Sequence, residues 1–482
     1  MKINDKVSFE GYSLTEEQLA VLENVSQGKS LMVNAFAGTG KTFILKAISA
    51  ITLPDKKGLY LCFNKSISEE AKKDFPSNVS PMTIHSLAYK ALVKKYNLRE
   101  RTIVQLNASE LYEKIFKDFN DIYGVTSRQI ALKVFLVIKK FCQSADEEIS
   151  QNHLSASALS GVKMEHREKL SEGIVYFAQK AWELLSTPSS ELNLSFDIYL
   201  KIWALSQPTL KYDFILIDEA QDQTPVTINV LNNQKHLQRI WVGDKYQQIY
   251  SFRGAVNSME IADIDSSNEL TKSFRFGNEI ALLCNNIISH YLGEEVSIKG
   301  YEEFSSKLSS DLEPNIVLCR TNLCVISELM YYSNYENKRV SINIPVNELV
   351  RDLKEAEKLY LGMKTNHEEL KIFKTWKELV SFSRTEEGAH LRKLVSLFEQ
   401  YDIRNLTNML NLAGAVPESL SDLLISTVHK VKGREWDVVR LADDFKAKNS
   451  PGYKDEDARL LYVAATRAKH ILDISGCAAA NL

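Results

Sequence analysis

The sequence predicts an α/β fold: two lobes with parallel sheets, each carrying an inserted, mainly helical subdomain. Three observations carry this. A short apolar run at residue 31 leads into a glycine-bearing loop and then a helical pattern. A second apolar run, Phe214 to Ile217, ends in two carboxylates, but only after a long detour of helix-patterned sequence. Past residue 275 the strand pattern starts again and is interrupted in the same way. The 482 residues exceed one core, since domains usually hold about 100–200.

The first element is "SLMVNAFAGTGKTFILKAIS". Leu31 to Val33 are apolar and short enough for a buried parallel strand. Phe43, Ile44, Ala47 and Ile48 recur at helical spacing. Between them run Ala35, Phe36, Ala37, Gly38, Thr39, Gly40, Lys41 and Thr42. This is A-x-x-x-x-G-K-T, with alanine where the usual phosphate-binding loop has glycine. Gly38 and Gly40 permit backbone angles that other residues resist, so successive N–H groups can turn inward at a helix N-terminus and cradle phosphate oxygens. Lys41 would reach the β and γ phosphates, and Thr42 would offer its hydroxyl to magnesium.

The partner is "YDFILIDEAQD". Asp218 and Glu219 follow an apolar strand, at the end where ligands sit in open parallel sheets. Asp218 suits magnesium; Glu219 suits orientation and deprotonation of an attacking water. Either motif alone is weak. Together they point to hydrolysis of a nucleoside triphosphate.

Asp218 follows Lys41 by far more than the ~30 residues of a strand–helix–strand unit. Something is inserted. "ASELYEKIFKDFNDIY" puts Leu111, Ile115, Phe116 and Phe119 on one helical face, and "RQIALKVFLVIKKF" does so with Ile130, Val134, Phe135, Ile138 and Phe141. "EKLSEGIVYFAQKAWELL" gives a third amphipathic run. These stripes face a core. After residue 275, "NIVLCRTN", "DLLISTVHKVKG" and "HILDIS" supply strands. The charged, helix-patterned stretch between the first two reads as a second, reduced insertion. The expected layout is lobe one at 1–99 and 205–275 with its insertion at 100–204. Lobe two is expected at 276–340 and 421–482, with its insertion at 341–420.

Composition excludes little. The chain is 44% hydrophobic and 25% charged with a net charge of −3, so no global basicity announces nucleic acid; such footprints are local. Six scattered cysteines fit reduced thiols better than a disulfide framework or a zinc site. The polar "MKINDKVSFEGY" does not read as a signal peptide, and no apolar run approaches the ~18 residues of a membrane span. A cytoplasmic protein is expected, nucleoid-associated or nuclear according to its host.

"AFAGTGKT", "DEAQD" and "VGDKYQQIYSFRGA", in that order, resemble the UvrD/Rep-like branch of superfamily 1 helicases. "FNKSISEEAKKDFPSNV" and "TIHSLAY" are similar to the helicase part of the F-box DNA helicases, although no F-box segment is expected ahead of this motor. The resemblance implies two RecA-like lobes that clamp ATP and Mg2+ between them. It also implies movement on single-stranded DNA, usually 3′ to 5′. Gln18 resembles the adenine-reading glutamine, and Phe274 stands where relatives stack an aromatic on adenine. Gln247 resembles the γ-phosphate sensor, and Arg275 and Arg467 the two arginines that reach that phosphate. "STVHKVKGREWD" keeps Lys432, Gly433 and Glu435; the family implies ribose contact for Glu435 and a place near DNA for His429.

For the strand, Tyr250 and Phe252 fall where relatives place stacking aromatics, with Arg253 beside them. Thr83, His85 and Ser86 resemble the next contact set, as do Asn64 and Lys65. Cys62 and Ile84 stand where many relatives have phenylalanine, which removes stacking there unless Phe63 supplies it. The implied partners are single-stranded or tailed duplex DNA and, through the alternative of an ATP-gated clamp with little unwinding, a protein such as a nuclease. An RNA-directed motor is the third possibility. No membrane role is implied.

Overall fold

The computed structural model describes residues 7–482 apart from 99–102, 104–106, 160–161, 191, 251–253, 255–256, 336–337, 368, 386–387, 389–390 and 451. A small hairpin (β1, Ser8–Phe9; β2, Tyr12–Ser13) precedes the first sheet. That sheet contains β3 (Leu31–Ala35), β4 (Gly58–Cys62), β5 (Val79–Thr83), β6 (Phe214–Ile217), β7 (Gln238–Gly243) and β8 (Ser266–Leu270). Its order is β5-β4-β6-β7-β3-β8, and every pairing is parallel. The second sheet contains β9 (Lys307–Leu308), β10 (Ile316–Cys319), β11 (Val340–Asn343), β12 (Leu423–Thr427), β13 (Trp436–Leu441) and β14 (Ala468–Asp473). Its order, β11-β12-β10-β13-β14-β9, is again all parallel. The expected α/β architecture with two parallel sheets is what forms.

Alternation along each strand explains the layers. Successive side chains leave a strand on opposite faces. On the first sheet Leu59, Leu61, Ile215, Ile217 and Trp241 pack with the inserted helices. Leu31, Val33, Tyr60, Phe214, Leu216 and Val242 pack on the other face. Both faces are covered, so the strands read as continuous apolar runs. The second sheet divides likewise. Ile316, Leu318, Val439 and Leu441 face the seam between the lobes. Val317, Cys319, Leu423 and Ile425 face the second group of helices.

Within the first insertion, the helix Ser127–Gln143 starts at a Thr126/Gln129 capping box and buries Ile130, Val134, Ile138 and Phe141. Phe135 is only partly buried. The expected stripe through Phe119 is corrected: the helical stretch ends at Phe116, and Phe119 lies beyond it, 38% exposed. Leu111 and Phe116 are fully buried, as expected. All six cysteines are free and buried. Among the described residues no helix is long and apolar enough to cross a membrane.

The seam has its own apolar core. Phe36 and Ala37 of the phosphate loop pack with Tyr246, Ile280, Tyr462 and Val463. Phe36 stacks on Tyr246 at 5.9 Å between centroids, and Tyr246 meets Tyr462 edge-on at 6.1 Å. Burying one such ring stabilises by about 1.5–3 kcal/mol, so the loop is anchored to both lobes.

Candidate nucleotide site and strand track

β3 runs two residues further than its apolar core, through Asn34 and Ala35, and delivers the chain into the loop. Gly38 and Gly40 have φ of +77° and +86°, in the left-handed region that favours glycine. Gly38 is also packed: a Cβ there would lie 2.4 Å from Ser273 Oγ and 2.6 Å from Arg275 Cβ. The backbone of the loop meets the 273–275 segment directly, with the Phe274 N–H donating to Gly38 O at 2.8 Å. Lys41 opens the helix, which continues through Thr52, and its Nζ donates to Phe36 O at 3.3 Å. Burial lowers the Lys41 pKa, against the opposing pull of Asp244 and Glu219. Thr42 is exposed.

Asp218 and Glu219 leave the end of β6. Asp218 Oδ2 accepts from Tyr60 Oη at 2.5 Å and Oδ1 accepts from the Glu219 N–H at 2.9 Å. Burial and the adjacent Glu219 push the Asp218 carboxyl up to about 6. Burial acts the same way on Glu219, but Lys432 and Lys41 outweigh it and hold that carboxyl below its ordinary value. Glu219 sits at φ +47°, a strained position for a residue with a Cβ. Its Oε2 accepts from Gln221 Nε2 at 2.5 Å.

Lobe two brings cations to these carboxylates. Lys432 Nζ is bonded to Asp222 and lies 3.7 Å from Glu219. It also donates to Gln247 O at 2.9 Å. Gln247 Nε2 donates to Asp244 Oδ2 at 2.8 Å, and the same oxygen accepts from Tyr462 Oη at 2.9 Å. Tyr462 Oη in turn accepts from the Ala37 N–H at 3.3 Å. Arg275 Nε pairs with Glu435 at 2.5 Å, and its Nη1 donates to Thr466 O at 3.1 Å.

Arg467 is 1% exposed. Its hydrogen bonds go to Val463 O (2.9 Å), Arg434 O (3.2 Å) and Thr466 Oγ1 (2.9 Å), all neutral. Burial, then the neighbouring Arg275, push its guanidinium well below the usual arginine range. A buried cation without a direct counter-ion is a costly arrangement unless an anion joins it.

Gln18 is buried. Its Oε1 accepts from the Thr15 N–H at 3.1 Å in a capping box, and its Nε2 lies 3.6 Å from where a Gly40 Cβ would stand. Phe274 is half-exposed, edge-on to Tyr301 at 5.5 Å. Gly433 has φ +89°.

On the track side, Phe63 stacks on Tyr250 at 5.6 Å and 19°. Tyr250 Oη donates to His429 O at 3.0 Å, and Lys432 Nζ lies 5.3 Å from the Tyr250 ring centroid. Lys432 therefore touches both the carboxylates and the aromatic pair. Asn64 caps the helix Lys65–Asp74 by accepting from the Ile67 N–H at 2.9 Å. Thr83 caps the helix Ile84–Leu92 through the Ser86 N–H. His85 packs edge-on against Phe196 and Tyr199, with Nε2 buried and without a hydrogen-bond partner among the described residues. Cys62 and Ile84 are buried. Phe252 and Arg253 lie outside the described residues.

Sequence comparison matches this arrangement. Residues 14–266 match the UvrD/REP helicase N-terminal domain, and residues 422–473 the UvrD-like helicase C-terminal domain. The chain belongs to the UvrD-like helicases. This UvrD-like chain is 31% identical to F-box DNA helicase protein 1 of Schizosaccharomyces pombe, over 95% of its own length and 56% of that protein's. It is 30% identical to F-box DNA helicase 1 of Gallus gallus, over 96% of this chain and 49% of the other. A probable DNA helicase II homolog of Mycoplasma genitalium is 23% identical over 60% of this chain and 45% of its own length. The chain thus spans about half the length of the curated relatives it matches.

Several site residues were not singled out from sequence: Tyr60, Gln221, Asp222, Asp244 and Tyr462. Gln221, Asp222 and Asp244 lie inside motifs already quoted, and Tyr462 lies five residues before Arg467. Tyr60 lies three residues before the quoted "FNKSISEEAKKDFPSNV", between Leu59 and Leu61, where its pattern is that of an ordinary core strand.

Proposed function

We propose that this chain is an ATP-driven DNA helicase, moving 3′ to 5′ on single-stranded DNA and parting the duplex ahead of it. One observation supports the reading best. A phosphate-cradling loop, two carboxylates and Arg275 of lobe one face Lys432 and a buried Arg467, whose hydrogen bonds among the described residues all go to neutral groups, across an apolar seam. A triphosphate would give Arg467 the anionic partner that its own hydrogen bonds do not supply.

ATP binds with its phosphates on the loop and Lys41. Gln18 and Phe274 hold the adenine, and Glu435 the ribose. Thr42 and Asp218 would hold Mg2+, which supplies charge neutralisation at the β and γ oxygens. The donor set fits such an ion, because a buried carboxylate crowded by Glu219 is relieved by a divalent cation. Glu219, held by Gln221 and Lys432, orients the attacking water and takes its proton. Arg275 and Arg467 offset charge developing on the transferred phosphoryl group. Lys432, bonded to Gln247 and placed over Tyr250, links hydrolysis to the aromatic pair that grips the strand. Lobe closure assembles the site and its release advances the grip.

The test is a polarity-defined unwinding assay with 3′- and 5′-tailed duplexes, alongside ATPase measurements with DNA and RNA oligomers. Lys41→Ala abolishes hydrolysis and unwinding and leaves the fold intact. Stimulation by RNA alone, or unwinding from the 5′ tail, would overturn the corresponding part. Tight ATP-dependent binding without displacement of the paired strand would favour the clamp, in which the chain recruits a nuclease or another protein.

A further inference from the structure

We propose that the cleft along the outer edge of the first sheet is a second stretch of the strand path, one that takes the phosphodiester backbone after it leaves the ends of the strands. It rests on the DNA reading given under Proposed function. It extends that reading to Lys72, Lys90 and Tyr212, to which no motif gave a role.

β5 is the last strand of its sheet, so among the described residues one of its sides has no strand neighbour. An open cleft of about 570 Å3 runs beside it, bordered by the helices Lys65–Asp74 and Ile84–Leu92. Lys65, Lys72 and Lys90 line it, and Glu69, the single carboxylate of the lining, pairs with Lys72 at 2.8 Å and leaves the cleft a net cationic wall. Tyr212 contributes an aromatic wall, with Lys57 Nζ 5.4 Å from its ring centroid. Cations spaced beside an aromatic surface are what a single strand requires: charge for the phosphates and a platform for a base.

The edge itself is closed to an extended peptide. Strand addition needs free backbone donors and acceptors. Asn78 O accepts from the Gly58 N–H, which turns the backbone groups of Val79 and Pro81 outward by alternation. Pro81 has no N–H, its carbonyl accepts from Ser68 Oγ at 3.1 Å, and the Val79 N–H donates to Pro76 O at 3.0 Å. A proline on the outward side is a common way of blunting an edge strand. Side-chain charge is what this wall offers. The cleft is also continuous with the strand track, because Lys65 and Ser86 belong to both.

The test uses the full chain, labelled oligothymidylates of graded length, and anisotropy measured across a range of NaCl concentrations. Each phosphate neutralised on a single strand adds about 0.7 to the slope of log K against log salt. Lys72→Gln/Lys90→Gln therefore lowers the slope magnitude by about 1.4 for long oligomers. The slope for the shortest oligomer that still binds stays at its wild-type value. Lys73→Gln, a charge loss on the same helix outside the cleft, leaves both slopes unchanged. An unaltered slope at every length, or an equal loss at every length, would overturn the cleft assignment alone. Wild-type protein that binds no oligomer would overturn the DNA reading with it. Loss of polyglutamate binding in the double variant, with oligomer binding unchanged, would give the cleft to an acidic protein instead.

Discussion

Arg467→Met makes the nucleotide-free protein more stable and destroys its activity. The side chain is buried, and every hydrogen-bond partner it has among the described residues is neutral. Desolvating an ion costs several kcal/mol even after relaxation. Three hydrogen bonds to neutral groups return about 1 kcal/mol each. Glu219 and Glu435 attract the guanidinium from a distance, while Arg275 repels it. An apolar side chain of similar length removes the uncompensated charge, leaving Val463 O still bonded to Thr466 Oγ1. The net expectation is a gain of about 1–2 kcal/mol, the low end of what apolar replacement of buried ionic groups yields. For 482 residues, at about 2.1 cal/mol/K of unfolding entropy each, that is a rise of roughly 1–2 °C in Tm. DNA-stimulated ATPase falls at the same time by about 10³–10⁵, the range for losing an arginine that meets the transferred phosphoryl group. Scanning calorimetry with and without a non-hydrolysable ATP analogue reads the first effect, and also the shrinkage of the nucleotide-induced shift. Steady-state turnover reads the second. A Tm several degrees below wild type would mean that Arg467 is a structural cation, and the seam would lose its strongest argument for an anion.

Two further expectations follow from the geometry and a third from the sequence resemblance. Gly38→Ala sets a Cβ against Ser273 Oγ and Arg275 Cβ at a positive φ. It destabilises by at least about 1–3 kcal/mol and weakens nucleotide affinity, read by calorimetric titration; wild-type affinity would mean that the loop rearranges freely. Lys432→Gln leaves Asp222 buried without its cation and destabilises by about 3–5 kcal/mol. DNA stimulation of the ATPase falls more than the basal rate, and equal loss of both would remove Lys432 as the link. Phe252→Ala weakens single-strand affinity by about 1–3 kcal/mol in anisotropy titrations; unchanged affinity would take Phe252 off the track.

The phosphate loop was legible because its chemistry is local: two glycines, a lysine and a threonine within eight positions. The carboxylates were legible because an apolar strand announces where a sheet edge delivers them. What stayed hidden is long-range. Tyr60 meets Asp218 across 158 positions, and Ala37 meets Tyr462 across 425. Neither residue differs in pattern from an ordinary core aromatic, so only the fold can show that its hydroxyl is spoken for. Phe119 misled for the opposite reason, since spacing alone cannot say that a helix has already ended at Phe116. Asn64 and Thr83 carry a second job as helix caps, which their side-chain chemistry allows and which the family pattern does not reveal.

The first helical insertion shares one core with Leu59, Leu61, Ile215, Ile217 and Trp241 of the first sheet and with the helices Ile84–Leu92 and Pro225–Asn232. A trimmed motor lacking that region would therefore be a sticky, half-wrapped sheet and not a smaller engine. Chimeras between relatives have to transplant sheet and insertion together.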